Sequence, residues 1–246
     1  MKHYQAPQDL LKERVILVTG AGQGIGRVAA LTFAAHGATV ILHGRSVKKL
    51  EAVYDEIEAA GHPQPAIFPL DLEKAESKDY EGLAGAIRGQ LGRLDGILHN
   101  AAVAERPQRL EDQTLEQWLT LLRVNLAAPF ALTRACLPLL KGSPDASVIM
   151  TSETHGHAPA AYWGGFAVAK SGLETLVTIW SQELEIHPNV RINALIPGPV
   201  QSPQRSRTHP GEDRRSLPTP ESLMPMYLYL MGGDSANVSG KILSAQ

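Results

Sequence analysis

The sequence predicts an α/β fold, a doubly wound parallel sheet with helices on both faces. Two observations carry that expectation. Short apolar runs alternate with longer amphipathic stretches, and a glycine cluster stands where the first run meets the first amphipathic stretch. Strands that alternate with helices pair in parallel through right-handed crossovers, which leaves both faces of the sheet covered. At 246 residues the chain fits one large domain, 1–246, and is long enough to bury a full core.

The elements follow in order. Val15 to Thr19 is an apolar strand, and the amphipathic stretch from about Ile25 to His36 is a helix that stops at Gly37. Thr39 to Leu42 is a second strand, followed by a helix from Val47 to Ala60 that stops at Gly61. Ala66 to Leu70, Gly96 to Leu98 and Ser147 to Met150 are further strands, each followed by a helical pattern. Thr114-Leu115-Glu116-Gln117 has the form of a capping box and opens a long helix towards Leu140. Thr219-Pro220-Glu221 resembles a cap with proline at the first helical position. One interval breaks the alternation. Residues Pro199 to Pro218 hold four prolines and four arginines without periodicity, so they are expected to form a long loop, either a substrate lid or a solvated insertion.

Composition narrows the function. A formal net charge of −2 and a pI near 6.5 give no footprint for nucleic acid or an anionic membrane, and favour a small-molecule partner. Arg205, Arg207, Arg214 and Arg215 are accompanied by Glu212 and Asp213 with no aromatic stacking platform, which excludes nucleic-acid binding by the loop. The single cysteine, Cys136, sits in an apolar run as a packing residue and cannot form an intramolecular disulfide, as expected in a reducing compartment. Met1 to Asp9 is polar and lacks a signal-peptide core, and there is no run of 18 apolar residues, so a soluble cytoplasmic protein is expected. No metal-ligand pattern is present.

Gly20, Gly22, Gln23, Gly24, Ile25 and Gly26 follow the first strand and open the first helix. Glycines there let backbone N–H groups at a helix N-terminus approach a pyrophosphate, which points to a dinucleotide. The end of the second strand reads Leu42-His43-Gly44-Arg45. A carboxylate at this place would accept from the ribose 2′-hydroxyl of NAD(H) and repel a 2′-phosphate. None is there, and the planar fork of Arg45 suits a phosphate, so NADP(H) is preferred with NAD(H) as the alternative. Arg45 could instead cap its own loop. Asp71, after the third strand, could accept from the adenine amino group or cap a helix.

Thr19 to Gly26, Asp71, His99-Asn100-Ala101-Ala102, Asn125, Lys170 and Pro197-Gly198 stand in the order found in short-chain dehydrogenases/reductases, and the chain resembles that family over its whole length. The opening His3-Tyr4-Gln5, the segment Asp95 to Asn100 and the ending Met224 to Gly232 are similar to the YciK-type bacterial branch. The resemblance implies a single doubly wound Rossmann domain with a parallel seven-stranded sheet. It also implies cofactor contacts at Leu72, Asn100, Ala101, Lys170, Pro197, Gly198 and Val200, with His99 lining the pocket or packed behind it. The long helix from about Tyr162 to Ile186, with Trp163 and Trp180, and the helix before it are implied to form a homodimer or homotetramer interface.

The family's catalytic set, by that resemblance, is an asparagine, a serine, a tyrosine and a lysine. Asn125 matches the first, whose backbone carbonyl is implied to hold a relay water. Lys170 matches the last, implied to bind the nicotinamide ribose and to lower the tyrosine pKa. Phe166 falls on the tyrosine, one helical turn before Lys170, and a phenyl ring has no proton to give. Glu153 falls on the serine, with Ser152 beside it as a hydroxyl one residue away. Replacement acids nearby are Glu153 as a desolvated carboxyl, His155 and His157, while Tyr162 lies too far along a helix for Lys170 to tune it. Two readings follow: an NADP(H)-dependent oxidoreductase with an atypical site, on an unknown substrate, or a catalytically impaired family member that senses NADP(H) or serves as a scaffold.

Overall fold

Seven parallel strands pair in the order β3-β2-β1-β4-β5-β6-β7. A computed structural model describes residues 3–245; Met1, Lys2 and Gln246, the ends of the span read as one domain, lie outside them. Along the chain come β1 (Val15–Thr19), α1 (Gly24–Ala35), β2 (Thr39–Gly44), α2 (Val47–Ala59), β3 (Ala66–Pro69), α3 (Ser77–Leu91) and β4 (Gly96–His99). They are followed by α4 (Leu115–Leu122), α5 (Ala128–Gly142), β5 (Ala146–Thr151), α6 (Thr154–His157) and α7 (Gly164–Glu183). The chain closes with β6 (Val190–Ile196), α8 (Pro203–Thr208), α9 (Met224–Met231) and β7 (Ile242–Ser244).

Alternation along each strand divides the core into two layers. Val15 and Leu17 of β1 face α3, α5 and α7, while Ile16 and Val18 face α1, α2 and α9. Both faces are therefore buried, and the strands read as continuous apolar runs.

Two strands escape the apolar pattern. β6 reads Val-Arg-Ile-Asn-Ala-Leu-Ile, yet Arg191 and Asn193 are buried. Arg191 pairs with Asp145 and donates to the Gly232 carbonyl at 3.1 Å, while Asn193 donates to Val238 O at 2.7 Å and accepts from Lys241 N at 3.0 Å. Polar residues here hold the return segment and β7, itself only three residues long. The capping box at Thr114 forms: Gln117 N donates to Thr114 Oγ1 at 3.2 Å and Thr114 N to Gln117 Oε1 at 2.9 Å. The helix it opens is interrupted by a π-helical turn, Arg123–Ala127, between α4 and α5.

The interval 199–218 is not a structureless loop. Ser202 caps α8 by accepting from Arg205 N at 3.0 Å, and Pro203 occupies the first turn, where a missing N–H costs nothing. Arg205 then donates through Nε and Nη2 to Glu212 at 2.6 and 2.7 Å, which fixes the return. Thr219 makes no capping bond; Pro220 opens a 3-10 turn, Pro220–Leu223, that leads into α9.

At the N-terminal edge of the sheet, Asp95 is 1% exposed. Its oxygens accept from Val15 N, from Arg93 Nε and Nη2, all at 2.8 Å, and from Ser143 Oγ at 2.6 Å. Burial alone would raise its pKa, but the Arg93 and Ser143 bonds and the Val15 N–H outweigh burial and hold it below the usual carboxylate value. We expect Asp95→Ala to lose about 2–4 kcal/mol in chemical denaturation. A depressed folded pKa stabilises fully above the unfolded value near ~4 and loses that contribution as pH falls through the folded value, so the gap to wild type should narrow in acid. A gap constant with pH would show that the charge contributes nothing.

Candidate active site

A cavity of about 290 Å³ opens over the C-terminal ends of the strands. Its wall takes Gly20 after β1, Gly44 at the end of β2, Asp71 after β3, Asn100 after β4, Thr151 at the end of β5 and Pro197 after β6. The neighbours β1 and β4 send their following segments to opposite sides, and the crevice between them is where doubly wound sheets bind ligands.

The β1–α1 turn is built for close approach. Gly20 has φ +70°, and a Cβ there would stand 3.0 Å from Ala101 Cα. Gly26, beneath the turn, has no room for a side chain: a Cβ would collide with the Gly20 carbonyl and Asn100 Nδ2. Thr19 clamps the junction, its Oγ1 accepting from Asn100 N and Ala101 N, both at 3.0 Å, and donating to Leu98 O at 3.3 Å. The N-terminus of α1 has no side-chain cap and no acid in its first turn, so its free N–H groups and dipole suit a pyrophosphate. Gly22, Gln23, Gly24 and Ile25 line the cavity; Gly26 shapes the turn from below.

The adenosine end carries cations and no carboxylate at the end of β2. Arg45, Ser46 and Lys49 line the wall, with Lys49 Nζ donating to Gln23 Oε1 at 2.5 Å. Arg45 is exposed and makes no hydrogen bond or ion pair among the described residues, so it does not cap its own loop. His43 is buried with neither ring nitrogen partnered, and burial lowers its pKa to about 4, so it is neutral. Asp71 spends Oδ1 on Glu73 N at 3.2 Å, a cap of its own turn, while still lining the cavity beside Leu72.

At the other end stand Lys170, Phe166, Glu153 and Ser152, all on the wall with Ala101, Gly198 and Val200. Lys170 is 4% exposed and donates to Thr151 O at 2.7 Å, with Nζ 5.8 Å from the centre of the Phe166 ring. Burial pushes its pKa down to about 8, against the opposing pull of Glu153 and Glu174. Phe166 is buried with Ala104 and Leu121 and makes this wall apolar. Glu153 caps α6, accepting from His155 N at 2.6 Å, and lies 3.0 Å from His155 Nδ1. His155 stacks on Trp163 at 4.0 Å, and Trp163 meets His209 beyond α8 at 5.6 Å. Gln204, Arg205, Arg207 and Thr208 bring α8 over the same space, so the interval covers the cavity.

The helical placement of Tyr162 needs correction, and the alternatives for His99 are settled. The Asn125 side chain bonds Val103 O, Leu121 O and Val103 N, tying the β4 loop to α4 from inside the π-helical turn; none of these bonds uses its backbone carbonyl, the atom expected to hold a relay water. His99 is packed behind the cavity, 2.7 Å from Thr133 Oγ1, and burial, with His43 and Lys170 nearby, lowers its pKa to about 3. Tyr162 precedes α7 at φ +74°, exposed, so it shares no helix face with Phe166. Trp163 lines the cavity, whereas Trp180 is buried and stacks at 5.7 Å on the exposed Phe130 of α5. Thr19 and Glu174 were missed. Glu174 follows Lys170 by one helical turn, a spacing visible in the sequence. We expect Gly26→Ala to weaken nucleotide binding at least ~10-fold, since overpacking costs about 1–3 kcal/mol. Unchanged affinity by titration would remove this turn from the cradle.

The family model described as short chain dehydrogenase matches residues 14–213. The uncharacterized oxidoreductase YciK of Escherichia coli (strain K12) is 41% identical over 244 residues, 99% of this chain and 96% of that protein. A chain from Shigella flexneri 2a, solved in complex with NADP, superposes with a TM-score of 0.94 at 40% identity, over 98% of this chain and 100% of its own. Another from Escherichia coli CFT073, solved with NADPH, gives 0.94 at 41% identity over 98% and 99%. With the glycine turn, Asn100, Lys170 and the strand order in place, the chain belongs to the short-chain dehydrogenase/reductase family.

Proposed function

We propose that this chain is an NADP(H)-dependent oxidoreductase that reduces a small molecule without the family's tyrosine. The observation that carries the cofactor choice is the end of β2, where Arg45 stands free beside Ser46 and Lys49 and no carboxylate opposes a 2′-phosphate. The relatives solved with NADP and NADPH support it. When bound, the nicotinamide supplies a hydride to an electrophilic carbon. Lys170 is positioned to hold ribose hydroxyls, and Phe166 and Trp163 exclude water from the reacting end. A missing positioned acid forfeits about 10²–10⁴-fold and a missing oxyanion donor about 10²–10³-fold. Ordinary ketones are therefore poor substrates, and an activated C=C bond or a carbonyl served by a relocated acid fits better.

Phe166 and Glu153 favour a second reading, an NADP(H)-binding sensor or scaffold. In either case we place the protein in the cytoplasm as a homodimer or homotetramer. The outer faces of α5 and α7 expose Phe130, Val168 and Ile179, which suits self-association. Among the described residues no helix is long and apolar enough to cross a membrane.

Paired fluorescence titrations with NADPH and NADH test the cofactor. NADPH should bind at least ~10-fold tighter, and Arg45→Ala should erase that preference at a cost of about 1.5–3 kcal/mol while leaving NADH unchanged. Equal affinities in wild type would overturn the assignment. The double variant Phe166→Tyr with Glu153→Ser should gain ketone reductase activity by about 10²-fold or more. No gain, in a variant that still binds NADPH, would mean the scaffold cannot support that chemistry.

A further inference from the structure

Phe166 leaves the cavity without the phenol that would protonate the reduced product, yet a line of polar side chains runs from the cavity wall to water. Ser152, 3% exposed, lies on the wall just beyond β5, and its hydroxyl donates to Glu174 Oε1 at 2.5 Å. Glu174 Oε2 lies 3.0 Å from His157 Nδ1, and the two side chains are 7% and 60% exposed. Three elements, the β5 end, α7 and α6, thus join a buried hydroxyl, a buried carboxyl and a solvent-facing imidazole. Lys170 makes no hydrogen bond to this carboxyl: its Nζ donates to Thr151 O, and the two groups attract only through space. Glu153 is committed to His155. A pair that merely pinned α6 to α7 would need His157 and Glu174 alone; the Ser152 bond carries the contact through to the cavity.

We propose that Ser152, Glu174 and His157 form a proton path that feeds the reaction cavity in place of a tyrosine, an inference that rests on the oxidoreductase reading. In the loaded state Glu174 carries a proton on Oε1 and donates it to Ser152 Oγ, whose own hydrogen turns towards the cavity. Once hydride from the NADPH-class reductant has reached the substrate carbon, the anionic oxygen or carbon takes that hydrogen. Oγ takes the proton from Glu174 Oε1 as its own O–H bond breaks. The resulting carboxylate accepts at Oε2 from Nδ1 of protonated His157, and His157 recovers a proton from water. A half-turn of the carboxyl resets the path. Two electrons and one hydrogen enter with the hydride, one proton enters from solvent, and the three side chains end unchanged. Ser152 is the member that touches substrate; Glu174 and His157 act through it as positioning residues. His157, more than half exposed, is the member of the path that meets solvent.

Lys170 is the charged group that acts on Glu174, with Glu153 also on the cavity side; beyond it His209, with Arg205 and Glu212 of the covering segment, faces His155 and Glu153. The test follows the His157 ring by NMR through a pH titration, with and without saturating NADPH, in wild type, Ser152→Ala, Ser152→Thr and Glu174→Gln. NADPH affinity is measured alongside. NADPH should move the His157 midpoint by about half a pH unit or more in wild type and Ser152→Thr, and the response should vanish in Ser152→Ala and Glu174→Gln. A His157 midpoint that ignores bound NADPH, or a response that survives Ser152→Ala, would overturn the path while leaving the cofactor reading intact. Failure of NADPH to bind wild type would instead remove the oxidoreductase reading and the path with it.

Discussion

The junction of β1 and β4 is the constraint on which the rest of the molecule depends. One hydroxyl, Thr19 Oγ1, receives two backbone N–H groups from the β4 loop and returns its hydrogen to Leu98 O. Parallel strands leave their C-terminal ends open together, and the two outgoing segments must diverge there without a gap or a clash. The clamp sets their spacing, and that spacing is why Gly20 and Gly26 have no room for a Cβ against Ala101 and Asn100. With the turn held in this way, the uncapped N-terminus of α1 points into the cavity and the other strand ends arrange their residues around it.

How much of this was legible depended on the range of the interaction. The glycine turn was readable because its demands are local: residues a few positions apart meet in one bend. β1, β2, β4 and β5 were readable because burial on both faces leaves a continuous run, and the half-buried β3 by its short apolar Ala-Ile-Phe. β6 hid behind Arg191 and Asn193, whose partners lie more than 40 positions away. α8 hid behind prolines taken as breakers, although Pro203 sits after a serine cap where proline is favoured. The Trp163–His155 stack and the bond from Asn125 to Val103 O arise from tertiary approach, and no spacing in the chain announces them.

Electrostatics at the Lys170 end of the cavity turns on one buried ammonium. A buried ammonium is expensive, and the lowered pKa of Lys170, about 8, records that cost. The surroundings offset it with the Thr151 carbonyl, the π-face of Phe166, and two carboxylates close enough to pull the pKa back up. Phe166 stands where a phenol would otherwise face the same ammonium, so the ring's π-face is what the charge meets on that side.

Phe166 makes one wall of the cavity apolar and offers no proton from that side. At the β5 end, two polar neighbours, Ser152 and Glu153, diverge. Glu153 turns to α6 and His155, stiffening the wall that carries Trp163. Ser152 turns inward to Glu174 and through it to water. Adjacent residues on an extended segment point to opposite sides, so one could not perform both tasks. The same alternation that buries both faces of the sheet thus splits the carboxylate and the hydroxyl at its edge, the first towards support of the wall and the second, through Glu174, towards solvent.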